Sequence, residues 1–311
     1  METLMRLVTS LALLLPLFGC ASHQPKPIAH FYDYQLSTPS GKPLNLNSLP
    51  NEIKNADIIL VGEWHTHPAI HRFQTELLAQ LSRENTHVAL SMEQFSRDEQ
   101  EILNRYLAGE IGEQYLISQT RAWPNYQSDY RPLIEFAKSQ QLDVIAANAP
   151  KPFVRCIGKV GIKYLDKLTP VERAQVAHQI DTSASPYKAK FMESMHHGSK
   201  EQTEKQYAAQ LTWDETMAES MVDYLQNHPT AQVMHIAGKF HTEQGLGTAH
   251  SILRRNPDLK IAIITPVEDT QTSYPDFQLT VLPIPTAYVQ AEHRMQAYQQ
   301  IKNRNTDLTC D

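Results

Sequence analysis

The stretch Ile58-Ile59-Leu60-Val61-Gly62-Glu63-Trp64-His65 decides the fold. A short apolar run that stops at a glycine reads as a strand buried in a parallel sheet. Its counterpart lies far downstream, in Val233-Met234-His235-Ile236-Ala237 followed by Gly238-Lys239-Phe240-His241. Ligands bind outside the carboxyl ends of the strands in open parallel sheets. The two runs therefore place Glu63, His65 and His241 at one sheet edge, where binding or chemistry concentrates.

Outward from the first run, Pro68 to Ser82 reads as an amphipathic helix with Phe73, Leu77, Leu78 and Leu81 on one face. Thr86 to Ser91 is a second strand, which delivers Met92-Glu93. Strand, helix, strand is the right-handed crossover of a parallel sheet. Helices are expected over Asp98 to Leu107, Gly112 to Ser118 and Pro132 to Ser139, and a third strand over Leu142 to Ala147, ending at Asn148-Ala149-Pro150. No strand pattern is visible from Lys151 to about Gln210, and Thr169-Pro170-Val171-Glu172 has the form of a helix start. Thr212 to Gln226 is helical, with Met217, Met221, Tyr224 and Leu225 facing inward. Beyond the His235 strand, Gly245 to Arg254 is helical, and Leu259 to Thr265 and Phe277 to Leu282 are strands. Ala287 to Ile301 is a closing helix. The expected class is α/β, a three-layer sandwich with a mainly parallel sheet and a small helical insertion domain. The insertions fall near residues 96–130 and 151–211 of a domain spanning 31–311.

Four strand ends deliver polar groups to the same edge. The first gives Glu63, His65 and His67, the second Glu93, the third Asn148, and the fourth His241 and Glu243. Two histidines and two carboxylates from separate strands suit a divalent metal. They suit a general acid–base site equally well. His235 sits inside an apolar strand and reads as a core histidine, while His71 faces either the pocket or solvent. The second insertion holds another set, Met192, Met195, His196, His197 and Tyr207. Tyrosinate, histidine and methionine all ligate haem iron. Methionines at helical spacing are also ordinary core residues, and His196-His197 before Gly198 is also an ordinary helix end.

The chain has 311 residues and a formal net charge of -6, with no basic cluster, which argues against a nucleic-acid partner. Arg6 and the apolar run Leu11 to Phe18 have the form of a signal peptide over residues 1–19, too short for a membrane span. Leu17-Phe18-Gly19-Cys20 resembles a bacterial lipobox, which implies cleavage before Cys20 and lipidation of its thiol. Residues 20–30 would then be the lipidated tether. Ala21 after the cysteine, by resemblance to Gram-negative lipoproteins, favours the outer membrane, facing the periplasm. Cys156 and Cys310 either pair, as an oxidising compartment permits, or remain buried thiols.

Ordered segments tie these features to a known family. They are Gly62-Glu63-Trp64-His65 with Pro68 and His71, Met92-Glu93-Gln94-Phe95, Tyr106-Leu107-Ala108-Gly109-Glu110 and Tyr130-Arg131-Pro132-Leu133. Ala147-Asn148-Ala149-Pro150, Trp213-Asp214-Glu215-Thr216-Met217-Ala218 and Gly238-Lys239-Phe240-His241 follow in order. Over Asp57 to Pro266 the chain resembles the ChaN family of haem-binding lipoproteins, within the Tiki superfamily. The resemblance implies haem binding at the cell envelope in support of iron uptake, alongside a haem-uptake machinery. It also implies tyrosine ligation of the iron and haem held between two protomers of a homodimer. Tyr207, beside His196-His197, is the first choice for that tyrosine, with Tyr126 and Tyr130 next. The wider superfamily implies a catalytic or metal-binding role for Glu63, His65, Glu93 and His241. Three functions follow: a haem-binding envelope lipoprotein, a metal-dependent hydrolase, and a non-catalytic membrane partner of a haem transporter.

Overall fold

The computed structural model describes residues 27–195, 199–303 and 308–310. The expected signal peptide, Cys20 and the pair His196-His197 lie outside these residues. Seven strands form one sheet: β1 (Tyr34–Ser37), β2 (Ile58–Glu63), β3 (Val88–Ser96), β4 (Asp143–Asn148), β5 (Gln232–Gly238), β6 (Ile261–Val267) and β7 (Phe277–Val281). Their order is β1-β7-β6-β2-β5-β3-β4. All neighbours run parallel except β1, which pairs antiparallel with β7 at one edge. β2 and β5 lie side by side, with Glu63 in register with Gly238. The two glycine-terminated runs thus end next to each other.

Strand residues alternate between faces with period two, and both faces are covered. Ile59, Val61, Leu90, Met92, Met234 and Ile236 pack with Phe73, Leu77 and Leu78 of the helix Pro68–Glu84 and with Leu133 and Ile134 of the helix Arg131–Ser139. Ile58, Leu60, Ala89, Val233 and Ala237 pack with Met217, Met221, Val222 and Leu225 of the helix Lys200–Asn227. This is the α/β three-layer sandwich read from the sequence.

Three differences matter for the site. β3 runs on to Ser96 through a register shift against β4 after Met92, so Glu93 and Gln94 are buried strand residues. The helix expected from Thr212 starts at Lys200, capped by Ser199, whose hydroxyl accepts the Gln202 N–H. Its first half packs Ala208 and Ala209 against Val154 and Ile157 of the helix Lys151–Val160. Its second half packs on the sheet, so the expected insertion boundary at 211 falls inside one continuous helix. β1 was not visible in the sequence, because one alternation, Tyr34-Gln35-Leu36-Ser37, is too short to establish a period and β7 supplies the pairing.

Cys156 and Cys310 form a disulfide with Cα atoms 5.5 Å apart. Lys159 Nζ donates to the Leu308 carbonyl (2.7 Å) and Lys167 Nζ to the Cys310 carbonyl (3.1 Å), tying the C-terminal tail to the helical insertion. Among the described residues, no helix is long and apolar enough to cross a membrane.

Candidate functional site

The carboxyl ends of β2, β3 and β5 converge on Glu93. Glu63, the last residue of β2, is 2% exposed. Its Oε1 accepts from Tyr130 OH (2.7 Å) and Gln94 Nε2 (3.1 Å) and lies 2.8 Å from His65 Nδ1. Its Oε2 accepts from Gln74 Nε2 at 2.7 Å. Burial opposes the charge on Glu63, but the His65 bond, the nearby His71 and the Gln74 bond outweigh it and hold the carboxyl below its ordinary range. Tyr130 is pushed far above the usual phenol range by burial and by the Glu63 carboxylate, so it stays a donor.

A second pair stands opposite. His241 Nδ1 lies 2.9 Å from Asp214 Oδ1. Asp214, 0% exposed on the long helix, also accepts from Tyr187 OH and Thr248 Oγ1, both at 2.8 Å. His241 Nε2 approaches Glu93 Oε1 at 3.8 Å, and Glu93 Oε2 accepts the Gly238 N–H at 2.7 Å. Burial resists charge on His241, yet Asp214 and Glu93 raise its pKa to about 9. His65 is raised above its ordinary value as well, because the bond to Glu63 and the Glu93 charge outweigh burial. Two histidines, each held by its own buried carboxylate, therefore flank one glutamate.

The glycines permit this convergence. A Cβ on Gly238 would sit 3.0 Å from both Cε1 and Nε2 of His65, and one on Gly62 would meet Thr242 Oγ1 at 2.6 Å. Only glycine lets the two strand ends close over each other.

A cleft of about 570 Å³ opens over this edge, lined by Glu63, Trp64, His65, Phe191, Gln210, Lys239, Phe240, His241 and Ile284 among others. A second cleft of about 560 Å³ shares Phe191 and Gln210 with it and continues past Trp213 to Arg155 and Lys159.

The sequence-derived site residues separate into two groups. Glu63, His65, Glu93 and His241 come together as expected. Tyr130 joins them from below, as a donor to Glu63. Tyr207 does not: it is 1% exposed, its ring packs on Phe191 and Tyr187, and its hydroxyl meets Ser185 Oγ at 3.3 Å. It borders a smaller cavity of about 170 Å³ that shares no lining residue with the strand-end cleft. Tyr126 is buried in the core on the helix Pro68–Glu84 side, edge-on to Phe95. His235 is a core residue, its Nδ1 2.8 Å from Ser91 Oγ, as its apolar strand suggested.

The expected divalent metal is not supported. Among the described residues, no three histidine, cysteine, aspartate or glutamate side chains are grouped to hold a metal ion. The physical reason is that Glu63 and Asp214 spend their oxygens on side-chain donors. Asp214, Gln210, Gln74 and Tyr187 were missed as site residues. Asp214 was open to detection, since it falls on the same stripe as Ala218, Met221 and Leu225, and a carboxylate on a buried helix face needs partners.

The fold and this site define a class: an α/β sandwich with a helical cap and a histidine–carboxylate cluster at the strand ends. Residues 49–252 match the family described as "Haem-binding uptake, Tiki superfamily, ChaN", and the chain belongs to that family. Among solved structures it is similar to ChaN of Campylobacter jejuni, described as showing cofacial heme binding, at 16% identity and a TM-score of 0.60, over 82% of this chain and 99% of that one. An erythromycin esterase, EreC, in its open conformation, has 12% identity and a TM-score of 0.44, over 85% and 86% of the two chains. RRSP, a MARTX toxin effector domain from Vibrio vulnificus, has 16% identity and a TM-score of 0.40, over 77% of this chain and 38% of that one. No curated protein sequence matches the chain.

Proposed function

We propose that this chain is an envelope-anchored lipoprotein that binds haem in support of haem and iron uptake. The observation that carries the reading, given the family, is the strand-end cleft. It joins apolar walls (Trp64, Phe191, Phe240, Ile284) to a half-exposed histidine and a cation, Lys239. Haem needs such a surface: a flat apolar face, a donor for iron and positive groups for its propionates. Bound haem would supply a redox-active iron that this chain only has to hold. Trp64, Phe191 and Phe240 would pack on the porphyrin, and Lys239 would pair with a propionate. The open mouth leaves one haem face for a second protomer, which suits a homodimer formed on haem binding. The Cys156–Cys310 disulfide favours an oxidising compartment. Cys20 would carry the lipid, with the protein at the outer membrane facing the periplasm and a haem-uptake machinery as partner.

Ferric haem titrated into the purified full chain tests the binding. A saturable Soret shift is expected, together with a monomer-to-dimer change in sedimentation. No shift at stoichiometric haem would sink the reading. Labelled fatty acid should enter the wild-type chain and not Cys20→Ser; equal labelling would reject the anchor.

A second reading rests on the two histidine–carboxylate pairs around Glu93. Such a set can run metal-independent hydrolysis, one imidazole taking a proton from water and the other giving one to the leaving group. An ester and peptide panel assayed with chelator present tests this. Asp214→Asn should lower any turnover roughly 10²–10⁴-fold, the range for a lost acid–base partner; turnover unchanged in Asp214→Asn would count against it.

A further inference from the structure

Resting on the anchored reading, we infer that the β1–β7 side of the cleft mouth docks on the lipid bilayer through Tyr32, Ile284, Tyr288 and Val289. Two ends of the fold meet there. β1 runs antiparallel to β7 with Tyr34 opposite Val281, while β7 runs parallel to β6 and β6 to β2. The residues before β1 and those after β7 therefore both lie at the carboxyl-end edge of the sheet, where the cleft opens. His67 joins them. Its ring packs on Phe31 with centroids 5.3 Å apart, and its Nε2 donates to the Leu282 carbonyl at 2.9 Å. On its other side it meets Trp64, centroids 5.8 Å apart, and Trp64 and Ile284 line the cleft.

Exposed apolar side chains gather on this side. Elsewhere Tyr115, Val160, Val171 and Leu253 stand singly, each on a different helix, as is ordinary for a protein surface. Here Ile284, Tyr288 and Val289 follow within one segment, with Val289 88% exposed, and Tyr32 stands on the neighbouring one. Every residue from Pro283 to Gln290 is exposed, and none carries a charge. Pro283 and Pro285 also lack the N–H groups that water would otherwise have to satisfy. An exposed apolar run of this kind marks an interaction surface.

The place of the anchor commits that surface to lipid. Cys20 precedes Pro27, where the described structure starts, by seven positions, and that much chain reaches at most about 25 Å. A lipid on Cys20 would hold this side of the molecule within that distance of the headgroups. Docking over so short a tether is effectively intramolecular, so a patch of a few side chains suffices. Uncharged aliphatic residues with tyrosine suit the boundary between headgroups and acyl chains. Phe191 and Gln210 line the cleft from the helical insertion, which leaves that rim to a second protomer.

The lipidated full chain is placed on phosphatidylethanolamine–phosphatidylglycerol vesicles whose acyl chains carry bromine. An environment-sensitive fluorophore is attached at Val289→Cys or, in a separate chain, at Thr86→Cys, exposed just ahead of β3 at the opposite edge of the sheet. Lipid blocks the Cys20 thiol and Cys156 is paired with Cys310, so only the new thiol reacts. The Val289 label should shift to the blue and lose most of its emission to the bromine, and the Thr86 label should do neither. Tyr288→Asp, added to the chain labelled at Val289, should restore most of that emission, since a charge opposes insertion. A chain that floats with the vesicles yet keeps an unquenched Val289 label overturns the docking and leaves the anchor standing. Quenching that Tyr288→Asp leaves unchanged overturns it too, because the tether alone would then account for it. A chain recovered free of the vesicles with no lipid on Cys20 removes the anchor and the docking together.

Discussion

His235 and His241 lie six positions apart and titrate in opposite directions. Burial, with the charge of His241 adding to it, lowers His235 from 6.5 to about 3. Burial also resists charge on His241, but Asp214 and Glu93 overcome it and raise the pKa from 6.5 to about 9. A group with a raised folded pKa stabilises fully below its unfolded value and loses that as pH climbs. His241 therefore helps most below pH 6.5, and its help fades by about pH 9. His235 is the reverse: its contribution is full above pH 6.5 and is lost as pH falls toward 3. Thermal unfolding across this range should give a maximum near pH 6.5. His241→Gln should flatten the alkaline limb and His235→Gln the acid limb, each by on the order of 2 kcal/mol. Limbs that persist in both variants would mean that other groups govern the profile.

At the scale of elements, the site depends on how closely the ends of β2 and β5 approach. Gly238→Ala should displace the His65 ring, because its new Cβ would lie 3.0 Å from two ring atoms. The strand keeps its register and core, so the expected stability loss is modest, about 1 kcal/mol. The reporter is the His65 imidazole NMR signal, which should move and lose its dependence on Glu63; an unmoved signal would show the ring tolerates the methyl. Glycine at each strand end was readable from the sequence, and so were Glu63, His65, Glu93 and His241, because apolar runs mark where parallel strands stop. The surroundings of Tyr207 were not readable in the same way. The long helix begins at Lys200, and on it Tyr207 joins the aromatic cluster with Phe191. Local pattern reports which residues are helical. Which neighbour a helix face meets depends on tertiary packing, and that also hid the Tyr130–Glu63 bond between residues 67 positions apart.

At the scale of the whole molecule, the layered sandwich was legible because both faces of the sheet are covered and its strands read as continuous apolar runs. The edge strand β1 was not, since it depends on a partner far along the chain, and the sequence left the Cys156–Cys310 pairing as one of two alternatives. That disulfide should stabilise by roughly 2–4 kcal/mol, seen as a lower denaturant midpoint for Cys310→Ser; an unchanged midpoint would mean the tail adds nothing to folding. It also has a topological result. The bond joins residues 154 apart, so β5, β6, β7, Asp214 and His241 all belong to one covalent ring. A protease that cuts the chain once inside this ring produces a nick and no fragment. On a non-reducing gel the nicked molecule should run as one species, and only reduction should release two. In the anchored state proposed above, such a cut would leave the distal half of the cleft still attached.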